Sequence, residues 1–200
     1  IVSIPTDAFS VPTLTIDMSQ PKPSSIKLLT GGVWMYTGTG HVLWNGTTGD
    51  DKILSDRGDD SIYGAAGNDW LRGGDGNDFV QGGDGRDVIE DSAGANIFIG
   101  GAGNDYISGS GTDAYNGNSG DDFLFGGGFP VVALAGIGND WVRGGSDNDT
   151  LSGDEGNDWM EGGQGGDGIA GDTVGPAGVT LAFPGNDVLI GNSGNDLLDG

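Results

Sequence analysis

Nine residues from Gly73 to Gln81 read GGDGNDFVQ, and the same order recurs in phase along most of the chain. Glycine stands at positions 1, 2 and 4, aspartate at position 6 and an apolar residue at position 8. A fixed short period of this kind means a solenoid, because one repeat cannot bury its apolar face alone and must stack on its neighbours. A carboxylate in every turn means that metal is part of the fold.

Counted from Gly46, units begin at Ser55, Gly64, Gly73, Gly82, Asp91, Gly100 and Gly109; one eight-residue unit then shifts the start to Gly117. Position 8 carries Ile53, Ile62, Leu71, Val80, Ile89, Phe98, Ile107, Tyr115 and Leu124, then Val142, Leu151, Met160 and Ile169, a predicted core column. Two stretches break the pattern and are read as irregular insertions, near 126–135 and 171–184. Residues 126–135 begin GGGFPVVAL and lack the aspartate, and residues 171–184, with Pro176, read as a bulged loop before the pattern resumes at Gly185–Asp187 and Gly194–Asp196. Counting back from Ile53 lands on Trp44, Met35 and Ile26, so residues 21–45 are expected to form degenerate, metal-free coils. Residues 1–20, with Pro5, Pro12 and the alternation Leu14-Thr15-Ile16, are expected to be an extended arm or cap.

Each unit reads as a six-residue turn and a three-residue strand. Glycine at positions 1, 2 and 4 permits positive φ and lets carbonyls approach an ion closely. Strand period two turns position 8 inward and positions 7 and 9 outward. Two units make a coil of 18 residues, giving an all-β roll of two parallel sheets with a thin core and no helix. Forty-four glycines and 34% hydrophobic residues could not build an ordinary two-layer core without help. Thirty acidic against seven basic residues give a formal charge of −23, so a compact metal-free chain would repel itself.

These residues resemble the haemolysin-type, repeat-in-toxin (RTX) calcium-binding nonapeptide, GGxGxDxUx, over about Gly46 to Gly200. The resemblance implies a right-handed parallel β-roll with calcium between turns stacked on the same edge. It also implies that each ion takes carbonyls from positions 2 and 4 with the position-6 carboxylate of one turn, and carbonyls from positions 1 and 3 with the carboxylate of the next. Carried over, one site uses Ala65, Gly67 and Asp69 with Gly82, Asp84 and Asp87, and the other edge offers Gly74 and Gly76 with Asp78. All are oxygen donors, as a hard ion requires.

Sorted by edge, the first has Asp51, Asp69, Asp87, Asp105, Asp122, Asp140 and Asp158 without a gap. The second has Asp60 and Asp78, then Asn96, Asp113 and Val131, then Asp149, Asp167 and Asp187, and is expected to bind poorly in its middle; Asp196 is a further candidate ligand. Roughly nine or ten sites would nearly cancel the chain's charge. Binding free energy would then serve as folding free energy. Asparagine is frequent at position 5, as in Asn68, Asn77, Asn104, Asn139 and Asn157, and a turn preference accounts for it.

Position 7 of the first face reads Lys52, Trp70, Val88, Tyr106, Phe123, Trp141 and Trp159, an aromatic ladder on a solvent face. Contiguous apolar surface of this kind marks an interface, and the expected partner is another copy of the chain; a polysaccharide lying over the rings is the second candidate. The chain stops in mid-pattern at Leu197-Leu198-Asp199-Gly200, so either the natural protein continues or another subunit covers the end. It starts at Ile1 with neither methionine nor signal peptide and is read as a processed form or a fragment.

The acidic surface argues against nucleic acid or anionic membrane as partner, and no apolar run reaches the roughly 18 residues of a membrane span. There is no cysteine, so neither disulfides nor thiolate zinc sites contribute; calcium staples in a secreted, extracellular or cell-surface protein fit instead. One histidine, His41, excludes a His-based metalloprotease motif, and no G-x-S-x-G elbow accompanies it. The expectation is a calcium-dependent structural module that self-assembles, not an enzyme. The alternative is a carbohydrate-binding or targeting module of a larger secreted protein.

Overall fold

A computed structural model of the chain describes residues 32, 34–36, 39–172 and 185–200. The expected arm at 1–20, the expected coil at Ile26 and residues 173–184 of the expected loop lie outside them. Among the described residues there is no helix. The described strands alternate between two sheets, with nine described strands in each. The first sheet contains Trp34–Tyr36, Lys52–Leu54, Trp70–Arg72, Val88–Glu90, Tyr106–Ser108, Phe123–Phe125, Trp141–Gly145, Trp159–Gln164 and Val188–Ser193. The second contains Leu43–Asn45, Ser61–Ala66, Phe79–Asp84, Ile97–Ala102, Ala114–Ser119, Val132–Ile137, Thr150–Glu155, Gly168–Ala170 and Leu197–Asp199. All pairings are parallel and join strands one coil apart, so the chain is a β-solenoid of the predicted two-sheet kind.

The core is a single file from each sheet. Ile53, Leu71, Ile89, Ile107, Leu124, Val142 and Met160 from the first meet Trp44, Ile62, Val80, Phe98, Tyr115, Ala133, Leu151 and Ile169 from the second, all buried. Their flanking residues are partly or fully exposed, as period two requires, except Ser152, which is buried beside Leu151. Phe98 and Tyr115 stack nearly parallel, with ring centroids 5.7 Å apart. The next residue in that file is the small Ala133, and here Val131 turns inward beside it and supplies the missing apolar volume.

Strand lengths differ from the expected three residues. Many run for six, as in Ser61–Ala66 and Phe79–Asp84, because positions 1 to 3 of the turn continue the coil-to-coil ladder. Ala65 pairs with Gly83 and Ala66 with Asp84. The irregularity at 126–135 is one of composition, not of length: Val132–Ile137 pairs in unbroken register with Ala114–Ser119 and Thr150–Glu155. Upstream of Gly46, Trp34–Tyr36 and Leu43–Asn45 pair one coil ahead with Lys52–Leu54 and Ser61–Tyr63.

The file is one residue thick, so each core side chain has few neighbours able to shift into a void. Replacing the fully buried Leu71 by alanine is expected to lower the unfolding free energy of the calcium-loaded protein by about 2–5 kcal/mol. The urea midpoint of L71A against wild type measures this; an unchanged midpoint would show that the file is not the core.

Candidate metal centres

All but two of the turns from Asp51 onward carry a carboxylate at position 6, where the chain leaves the turn for a strand, and the backbone fixes it through one oxygen. Asp69 Oδ1 accepts the N–H of Asp51 at 2.7 Å, Asp87 Oδ1 that of Asp69 at 2.8 Å, and Asp105 Oδ1 that of Asp87 at 2.8 Å. The series continues through Asp122, Asp140, Asp158 and Asp187 on the first edge. On the second edge the acceptors are Asp60, Asp78, Asn96, Asp113, Asp149, Asp167 and Asp196. Asp187 therefore stands on the first edge, not the second where the sequence count put it, and Asp196 takes its place on the second. The miscount has a physical cause. Asp158 and Asp187 are one coil apart but 29 residues, where the usual spacing is 18, so 29 − 18 = 11 residues have been inserted into that turn.

The insertion falls between positions 1 and 6. A Cβ on Gly171 would collide with Asp187 Oδ2, the contact that Gly64 makes with Asp69 in a regular turn. The N–H of Gly185 meets Asp172 Oδ1 at 3.3 Å.

The second oxygen of each carboxylate is the unusual one. Oδ2 of Asp69, Asp87, Asp105, Asp122, Asp140 and Asp158 on the first edge, and of Asp78, Asp149 and Asp167 on the second, is buried without any hydrogen-bond partner. A buried anionic oxygen left unpaired is costly, so nine in register call for a cation. Burial pushes the carboxyls upward from the usual range: Asp69 and Asp140 to about 7, Asp122 to about 8, and Asp78, Asp87, Asp105, Asp149 and Asp158 to about 6, in each case against the hydrogen bond that holds Oδ1.

Carbonyls face the same gaps. A Cβ on Gly83 would collide with the carbonyl oxygen of Ala65, and one on Gly85 with that of Gly67, so positions 2 and 4 aim their carbonyls at the following coil. In return, a Cβ on Gly64 would meet the carbonyl oxygen of Gly82 at 2.5 Å, and the carbonyl of Asp84 accepts Gly67 N–H at 2.8 Å, so positions 1 and 3 aim theirs backwards. The six residues named from the sequence, Ala65, Gly67, Asp69, Gly82, Asp84 and Asp87, thus border one gap, and Gly76 opens its carbonyl onto the corresponding gap of the second edge. Positive φ is what aims these carbonyls: 127° at Gly67 and, against the usual preference, 86° at Ala65. Among the described residues no three acidic, histidine or cysteine side chains converge on a point. Two carboxylates and a ring of carbonyls per gap leave no need for a third.

Three other turns satisfy their carboxylates with protein donors. Thr47 N–H reaches Asp51 Oδ2 at 2.6 Å, and Ser55 Oγ donates to Asp60 Oδ2. In the shortened turn Gly111 N–H and Tyr115 O–H reach Asp113 Oδ2 at 3.1 and 3.3 Å. Asn96 replaces one carboxylate outright, and Val131 fills another's place with a methyl against Gly126. At Asp113 and Val131, therefore, the second edge presents no carboxylate oxygen without a protein donor.

A second ladder was not legible in the position-5 asparagines. Their side chains run the other way: Asp50 Oδ1 accepts Asn68 N–H at 2.8 Å, Asn68 Oδ1 accepts Arg86 N–H at 3.0 Å, and Asn139 Oδ1 accepts Asn157 N–H at 3.2 Å. His41 occupies the same place, with Nδ1 3.0 Å from Asp59 N–H, and is an exposed rung of this ladder. The recurrence of Asn or Asp one coil apart at position 5 was the available signal.

Among known proteins, the family model for the RTX calcium-binding nonapeptide repeat matches residues 45–80, 81–111, 107–128, 134–169 and 182–200. Neither the comparison with curated proteins nor that with solved structures returned a match. With the model covering most of the chain and the repeat's carboxylates stacked in register, the protein belongs to the RTX calcium-binding nonapeptide repeat family.

Proposed function

We propose that this chain is an extracellular calcium-stapled module that orders when calcium enters the gaps between coils and then packs against copies of itself through its aromatic face. The observation that carries the calcium half is the set of nine buried, partnerless Oδ2 atoms. The ligands are the position-6 carboxylates and the carbonyls that border each gap. When bound, the ion supplies the positive charge that lets these carboxylates stay ionised in a dry place. Five gaps on the first edge, from Asp69 to Asp158, and one on the second, between Asp149 and Asp167, have partnerless oxygens on both sides. They are the strongest candidates.

The assembly half rests on the exposed ladder. Trp70, Tyr106, Phe123, Trp141, Trp159 and Val188 are each exposed by 37–46% on one sheet face, in parallel register. A second reading, polysaccharide binding, is favoured by a groove lined by Trp141, Trp159 and Val188 with Asn139, Asn157 and Asn186 beside it. Against it, the Trp141 and Trp159 rings are tilted by 54°, with centroids 6.4 Å apart, so they pack on each other more than they form one flat platform.

Removing calcium with excess chelator at pH 8 should abolish most of the β signal in circular dichroism, and full β content in chelator would overturn the reading. Acid acts oppositely on the two forms. In the metal-free chain the folded carboxyls titrate at about 6 to 8, above the unfolded 3.8, so the folded state binds more protons between these values. Its stability is therefore greatest at low pH and lost as pH rises through 6 to 8. Lowering the pH from 8 to 5 in chelator should recover β signal, while the same change should weaken calcium binding, since the ligands must be ionised. Light scattering on W141S/W159S against wild type, both calcium-loaded, tests the face: loss of assembly is expected, and an unchanged mass distribution would remove the reason for giving this face a partner.

A further inference from the structure

One turn of the second edge has exchanged residues between positions. Asp91–Asn96 reads DSAGAN, with aspartate at position 1 and asparagine at position 6. Position 1 of the neighbouring turns is glycine, because the position-6 side chain rests there, yet Asp91 is only 9% exposed. Its carboxylate reaches back to the preceding turn, where Oδ1 accepts Gly74 N–H at 2.9 Å; Oδ2 accepts Asn96 Nδ2 at 2.8 Å. That preceding turn holds Asp78, whose buried Oδ2 has no partner and lies against the α-carbon of Gly73. Two buried carboxylates thus converge on Gly73 and Gly74, and Asp91 is the foremost charge acting on Asp78. The Gly76 carbonyl faces the same gap, since a Cβ on Gly94 would collide with it. Among the leading influences on Asp91 the one counter-charge is Arg72, and it is the weakest.

We propose that the gap between the Gly73–Asp78 and Asp91–Asn96 turns is a calcium site in which Asp91, from position 1, supplies the carboxylate that Asn96 lacks. This rests on the calcium reading above. Ligand charge tunes calcium affinity, and Asn96 keeps an oxygen at position 6 but removes a charge. Asp91 restores it. The Asn96 amide then has a task of its own, holding the relocated carboxylate by the 2.8 Å bond from Nδ2. A carboxylate has about four lone-pair sites, so the N–H donors on Asp91, from Gly74, Ser92 and Asn96, still leave capacity for an ion. A position-1 carboxylate lies outside the nonapeptide pattern, so the repeat alone does not assign it.

Calorimetric titration of the chelated full chain with Ca2+ tests the site in wild type, D91N and D91G/N96D, after circular dichroism at saturating calcium has compared their folds. D91N should bind one ion fewer, or bind one ion about tenfold or more weakly, and D91G/N96D, which rebuilds the regular turn, should regain the wild-type count. A D91N titration identical to wild type would overturn the site, as would a double variant that folds but fails to regain the ion. A wild-type chain that takes up no calcium would overturn the underlying reading as well, and the first titration alone reveals it.

Discussion

Everything in this roll depends on a carboxylate held by one oxygen and left open at the other. The backbone N–H of one turn fixes Oδ1 of the next at 2.7 to 3.0 Å, which sets the rotamer and carries Oδ2 into the dry space against position 1. That oxygen cannot reach water, and no protein donor covers it in nine turns. The same hydrogen bonds that build the stack therefore create the charge that opposes it. A divalent cation resolves the conflict, because ligands from two coils then attract a common centre. Fold and metal demand are one property of the turn.

The turns that escape this demand show that chemistry, not topology, decides it. Thr47, Ser55, Tyr115 and the Gly111 amide each donate a hydrogen bond to an Oδ2 that would otherwise be bare. Val131 removes the carboxylate and lends its methyls to the core beside Ala133. These substitutions leave strand register intact, so the coil-to-coil pairing is the same whether or not a turn carries a partnerless carboxylate. What the ion governs is whether so much negative charge can remain on that path.

Much of this was legible in the sequence because the two strongest signals are periodic. The apolar residue at position 8 gave the core file from Ile53 to Ile169, and the aspartate at position 6 gave the inner ladder. Three things were not legible. The edge of Asp187 was misassigned because an insertion inside a turn adds 29 − 18 = 11 residues without adding a coil, and counting along the chain cannot tell a longer turn from an extra unit. The role of asparagine at position 5 was missed because a turn preference and a coil-to-coil ladder select the same residue. The six-residue strands were missed because glycine-rich segments carry weak strand propensity, and here pairing between coils overrides it.

The inner and outer ladders run in opposite directions, so each turn shows one face with a position-5 acceptor beside a position-6 donor, and another with the complement. Any regular coil can therefore dock on any other without a bespoke interface. Copy number becomes an adjustable quantity: a regular coil added or removed leaves the other regular junctions chemically the same. Length in such a molecule is a matter of counting, and selection can act on reach separately from the stability of each junction.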